Sequence, residues 1–174
     1  MLPTMHAMHH HTAPPQLAVR KLAPSIGAEI SGVDLSAAID DVAFAAIEQA
    51  WHEHSVLLFR HQQLDDIQQV QFAERFGELA HTLKHFEGTS HPAIMYVTNE
   101  RKDGKYIGAL PDGEMFFHSD MCYLEQPCMA AMLYAISIPP EGGNTVFASM
   151  YAADRKSTRL NSSHLRLSRM PSSA

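Results

Sequence analysis

His118, Ser119 and Asp120 place an imidazole and a carboxylate two positions apart. On a strand such residues project from one face, so the two side chains can share a single metal ion. Imidazole and carboxylate are the donor types that hold divalent iron and its neighbours in the first transition row. With 12 histidines in 174 residues, chance also supplies H-x-D triplets, and an incidental surface pair is the competing reading until context is added. The other histidines are weaker candidates. His52 and His54 flank Glu53, but two residues apart on a helix they point roughly 200° from one another and cannot chelate together. His6, His9, His10 and His11 belong to a low-complexity stretch, residues 1–15, that reads as a disordered leader. His85 and His91 read as loop histidines. Cys122 and Cys128 match no zinc spacing and are expected to be free thiols.

The elements that must position the H-x-D pair can be sketched from periodicity. Leu17–Leu22 and Ala28–Val33 read as two short strands with a turn between them. From 41 to 54, Ala43, Ile47, Ala50 and Trp51 form the stripe of an amphipathic helix, with Asp40 as its N-cap. Ser55–Phe59 is a buried strand. A second helix is expected from Asp66 to Phe76, capped by Asp65 with Gln68 three residues on and stopped at Gly77. Trp51, Phe59, Phe72 and Phe76 are assigned to the core. Ile94–Thr98 is expected to be a strand, and Asn99–Glu114 a long loop of the kind that serves as a lid or binding loop. Further strands are expected at Met115–Tyr123, Met129–Ile138 and Thr145–Ala148, the last two separated by a turn at Pro139–Gly143. Many short strands, and no strand–helix alternation at crossover length, favour an antiparallel barrel or jelly roll over a parallel sheet, with the helices ahead of the main sheet.

Several blocks carry a resemblance. VLLFRHQQLDDIQQVQFAERFGEL (56–79), FHSDMCYLEQPCMAAMLYAISIPPEGGNTVFASMYAA (117–153) and the opening GAEISGVDLS (27–36) resemble the taurine and phenoxyacetate dioxygenases, the TauD/TfdA-like non-haem iron enzymes that depend on 2-oxoglutarate. The resemblance implies a double-stranded β-helix (jelly roll), mainly β with flanking helices and incomplete here. It also implies oxidoreductase chemistry in which Fe(II), 2-oxoglutarate and O2 hydroxylate a small, anionic organic substrate with release of succinate and CO2. In that family two imidazoles and one carboxylate occupy one face of the iron and leave the other positions open. His118 and Asp120 match two of these three ligands. Thr145 matches the threonine that helps hold the distal carboxylate of 2-oxoglutarate; β propensity alone also accounts for a threonine there. His81 and Asn99 lie near substrate-facing positions of the family.

The resemblance covers residues 17–154, read as a partial dioxygenase domain. Its third ligand, a histidine, and its 2-oxoglutarate-binding arginine are not found here, and His164 lacks the surrounding motif. Residues 1–154 carry 8 Lys+Arg against all 19 Asp+Glu, a net −11, whereas 155–174 carry 5 Lys+Arg and no acid. The serine-rich basic tail, 155–174, is unlike the family and reads as translated adaptor or read-through sequence. A chain with two ligands and half a barrel is expected to be inactive by itself; the alternative is a non-catalytic fragment or interaction module that keeps the front half of the scaffold. An acidic body argues against nucleic acid as a partner. The longest apolar run, Cys128–Ile138, falls short of the roughly 20 residues a membrane span needs, and a cytoplasmic enzyme with a small-molecule substrate, and a family-like homo-oligomer, are the expectation.

Overall fold

A computed structural model describes residues 16–80, 91–108 and 116–159. The first of these stretches forms a packed lobe. Strand β1 (Ala18–Lys21) pairs antiparallel with β2 (Ala28–Ser31) in the register Val19↔Ile30. β2 leads through helix α1 (Asp41–His54) into β3 (Leu57–Phe59), which lies parallel to β2 with Ala28 opposite Leu57. The three-stranded sheet has the order β1-β2-β3. This corrects the antiparallel expectation: two parallel strands cannot be joined by a tight turn, and α1 is the crossover that joins them. The helices also do not precede the sheet, because α1 is threaded between two of its strands.

The local causes are visible. The Asp40 side chain accepts from the Ala43 N–H at 2.8 Å, and α1 ends at Ser55, whose φ of 63° turns the chain toward β3 while its N–H donates to the Trp51 carbonyl at 2.7 Å. Helix α2 (Asp66–Glu74) starts with a complete capping box: Gln68 N–H donates to Asp65 Oδ1 at 2.8 Å, and Asp65 N–H donates to Gln68 Oε1 at 2.9 Å. It stops two residues short of Phe76, where Arg75 and Phe76 continue as a turn. Gly32, just after β2, has φ +78°, and a Cβ there would sit 2.3 Å from the Gln16 carbonyl oxygen. Only glycine lets the chain entering β1 pass that close.

The core lies between the sheet and the two helices. Ile30, Leu35, Phe44, Ile47, Ala50 and Phe72 are buried together, with Leu57, Phe59, Phe76 and Met132 packed against them. Ile47 is fully buried, which contributes about 1.5–3 kcal/mol for a side chain of its size. Phe44, Phe59, Phe72, Phe76 and Trp51 meet edge to face at centroid distances from 4.9 to 6.4 Å, the arrangement the ring quadrupole favours. The apolar stripe of α1 runs through Phe44, Ile47 and Ala50, one position along from the Ala43 where periodicity began it. Arg75 locks the helices together, its guanidinium 4.3 Å from the Phe44 ring centroid and bonded to the Ile39 carbonyl and to Asp41 at 2.8 Å each.

Beyond α2 the expected strands are not formed. Ile94–Thr98 contributes a single bridge at Val97. Within the expected loop 99–114, Asp103 and Gly104 (φ 52° and 78°) make a two-residue turn joining β4 (Arg101–Lys102) to β5 (Lys105–Tyr106), the Asp-Gly hairpin chemistry that a loop reading overlooks. Met129–Ile138, Thr145–Ala148 and the described part of 115–123 are irregular, with bends and one turn at 120–123, and belong to no strand. Their residues suit a pleated surface, but a strand exists only by its ladder, and among the described residues no neighbouring segment offers one. Helix α3 (Met150–Arg159) follows. The jelly roll is thus not assembled among the described residues, which hold a three-stranded sheet and a two-stranded hairpin. None of the described helices is long and apolar enough to cross a membrane.

Candidate active site

From Phe116 the chain is irregular with a bend at Phe117 and turns over 120–123, where the Leu124 N–H donates to the Met121 carbonyl at 3.1 Å and Met121 takes a φ of 55°. Just ahead of that turn His118 and Asp120 meet: Nε2 of the imidazole lies 3.1 Å from Oδ1 of the carboxylate. Sequence spacing anticipated the meeting but assigned it to the pleat of a strand. The residues belong to no strand, and the pair stands at the entry to the turn that Met121 and Leu124 close.

The other ring nitrogen fixes the proton arrangement. His118 Nδ1 lies 2.8 Å from the Phe116 carbonyl oxygen. A carbonyl can only accept, so Nδ1 carries the hydrogen; a hydrogen on Nε2 is donated to the Asp120 carboxylate, and its loss leaves the Nε2 lone pair for a ligand. The Phe116 carbonyl foremost, and then the charge and hydrogen bond of Asp120, hold the His118 pKa above the ordinary imidazole value. Both side chains are open to solvent, 56% and 58% exposed, so a ligand can reach the shared point between them.

The remaining candidates are not gathered to this pair. Thr145 follows Gly142 and Gly143, whose φ values are 76° and 66°; the expected turn at 139–143 is only a bend at Pro140 and Glu141, and Thr145 is exposed on an irregular segment. Asn99 is exposed just ahead of β4. His81, like His85 and His164, lies outside the described residues. Among the described residues no third His, Cys, Asp or Glu joins the pair. Cys122 and Cys128 are free thiols, as expected, and His54 is nearly covered at the end of α1 while His52 is exposed. The Phe116 carbonyl, which sets the tautomer, carries no side-chain signature and was invisible to motif reading.

The sequence matches the taurine catabolism dioxygenase TauD, TfdA family over residues 18–161, and the chain belongs to that family. It is 34% identical over 139 residues to an (S)-phenoxypropionate/alpha-ketoglutarate-dioxygenase of Delftia acidovorans, covering 74% of this chain and 45% of that protein. To an alpha-ketoglutarate-dependent sulfate ester dioxygenase of Pseudomonas putida it is 35% identical over 139 residues, covering 79% of this chain and 43% of that protein. A taurine dioxygenase structure from Burkholderia xenovorans superposes with a TM-score of 0.39 at 41% identity, over 45% of this chain and 27% of that one. The chain therefore spans less than half the length of these relatives.

Proposed function

We propose that this chain carries the iron-binding front part of a 2-oxoglutarate-dependent dioxygenase of jelly-roll fold, which hydroxylates a small anionic organic molecule in the cytoplasm and releases succinate and CO2. The observation that carries the reading is the 3.1 Å approach of His118 Nε2 to Asp120 Oδ1. Two donors held about 2.1 Å from a divalent ion and at right angles to one another stand about 3.0 Å apart, so the pair fits adjacent positions on an octahedral ion. Family membership supports the choice of iron, and two relatives named for an aryloxy acid and a sulfate ester support an anionic substrate.

Each residue then has a role of its own. The Phe116 carbonyl holds the His118 ring with its Nε2 lone pair outward, as an outer partner does for a ligating histidine. Asp120 supplies the carboxylate. The Thr145 hydroxyl donates to the distal carboxylate of 2-oxoglutarate, and His81 and Asn99 are assigned to substrate recognition. Iron, once bound with 2-oxoglutarate and O2, supplies the oxidation of a substrate C–H bond. A third ligand and an arginine for the 2-oxoglutarate carboxylate are to come from outside the described residues. Two ligands alone hold a divalent ion weakly, so the 174-residue chain by itself is expected to be inactive.

The test reads the genomic frame through and past codon 155 and expresses the resulting protein. With Fe(II), O2 and a panel of aryloxy acids, sulfate esters and sulfonates it should convert 2-oxoglutarate to succinate, and His118→Ala or Asp120→Ala should abolish the turnover. An authentic stop, or a full-length protein that neither turns over 2-oxoglutarate nor binds Fe(II), would favour a non-catalytic interaction module instead.

A further inference from the structure

We propose that Tyr96 and Tyr134 are positioning residues for the candidate active site, their hydroxyls tying the chain on either side of His118 and Asp120 to one pinned platform at the start of α2. The proposal rests on the functional reading above for what is positioned, and on separate geometry for the tie itself. The Tyr96 hydroxyl donates to Asp66 Oδ2 at 3.0 Å. The Tyr134 hydroxyl accepts from the Leu64 N–H at 3.1 Å and faces the Gln62 carbonyl at 3.5 Å. Two tyrosines far apart in sequence, one before and one after the H-x-D pair, thus dock on the same few residues.

That platform does not move freely. Gln62 accepts from the Leu35 N–H at 2.8 Å and donates to the Val33 and Arg60 carbonyls at 3.2 and 3.0 Å. Gln68, already in the capping box with Asp65, donates to the Ser36 carbonyl at 3.2 Å. Residues 62–68 are therefore bound to the loop that follows β2, and through it to the core. Packing adds a second hold beside each tyrosine: Met132 lies against the core cluster, and Ile94 is buried. Between these anchors the described side chains are largely exposed and make no ladder beyond the β4–β5 hairpin. A segment with so little packing of its own is confined chiefly by its ends, and releasing either end widens the range of positions open to His118 and Asp120.

The experiment uses the full chain without metal, labelled with nitroxides at native Cys122 and at Ala45→Cys on the exposed side of α1, with Cys128→Ser to prevent a third label. A single narrow distance distribution is expected in this background. Tyr96→Phe and Tyr134→Phe, which remove only a hydroxyl, should each at least double its width while the far-ultraviolet melting of the lobe stays put. Asp66→Asn, which keeps an acceptor for Tyr96, should stay narrow where Asp66→Ala broadens. A distribution already broad in the background, or one unchanged by both tyrosine substitutions, overturns the proposal. Mn(II) titration of the same background against His118→Ala reads the metal assignment separately: indifference to His118 sinks that assignment and leaves the tie intact.

Discussion

Residues 17–76 and 116–149 are of comparable apolar character yet differ sharply in how much of it they bury and in regular structure. The first stretch buries Ile30, Ile47, Ala50 and Phe72 behind a three-stranded sheet. The second leaves Phe116, Phe117, Tyr123, Leu133, Ile136, Ile138 and Val146 exposed and has no strand. Hydrophobicity alone does not organise a segment; it needs partners at the right distance, and the lobe finds them locally through helix crossover and hairpin. The residues of the proposed site lie in the other stretch, where no strand holds them and the two tyrosine hydroxyls are the proposed tie.

A matched pair of phenylalanines tests this contrast most severely. Phe72 is 8% exposed and touches Phe44, Phe59 and Phe76 ring to ring, while Phe117 is 72% exposed. Phe72→Ala should cost about 3–5 kcal/mol, the range for truncating a core aromatic. Phe117→Ala should cost less than about 0.5 kcal/mol, as for a surface change with no special contact. Urea unfolding of both variants decides the matter. A comparable loss at the two sites would mean that Phe117 is held as firmly as Phe72 and that the contrast is false.

The same contrast explains what the sequence could and could not disclose. Caps are local: Asp40, Asp65 and Gln68 announced both helix starts because an N-cap needs only a side chain and the next three residues. Core aromatics were legible because Phe59, Phe72 and Phe76 sit where helix and strand periodicity put them. Phe44 was missed because an alanine one position earlier fits the same stripe almost as well. Strand partners are not local. Ile94–Thr98 and Met129–Ile138 have every property of a strand except a neighbour, which no single segment encodes. The parallel pairing of β2 with β3 was missed for a related reason, since each strand is so short that its crossover did not register as alternation. For the candidate site, type and spacing singled out His118 and Asp120, whereas the Phe116 carbonyl and the hydroxyls of Tyr96 and Tyr134 leave no motif.

A smaller effect sharpens the lobe's side of the comparison. Asp65→Ala removes the cap of α2 and should cost about 1 kcal/mol in urea unfolding. Because Gln68 shares that capping box and also reaches Ser36, Gln68→Ala on top of Asp65→Ala should cost less than Gln68→Ala alone. Full additivity would show that the two act independently and that the platform under Tyr96 and Tyr134 is looser than its hydrogen bonds imply.

The smallest expected effect concerns charge on the exposed side of the sheet. Glu29 on β2 receives Arg20 from the opposing position on β1 at 2.5 Å and Arg60, just past β3, at 3.3 Å. The Arg20 hydrogen bond foremost, with Arg60 behind it, holds the Glu29 carboxyl below its ordinary value of 4.5. A carboxylate lowered by folding stabilises the protein at every pH above that ordinary value and loses its contribution as pH falls through the lowered folded value. Parent and Glu29→Gln should accordingly differ by a constant, small amount near neutrality, less than the Asp65→Ala loss, and the difference should shrink below about pH 4.5 and vanish in stronger acid. Because these groups meet solvent, salt should shrink the difference as well. Phe72→Ala, by contrast, removes only apolar contact and should cost the same across that range. Urea midpoints of the three proteins through an acid series, at low and high salt, separate the cases. A Glu29→Gln difference that persists undiminished in acid would show that the side chain contributes by packing across the three strands, and not by its charge.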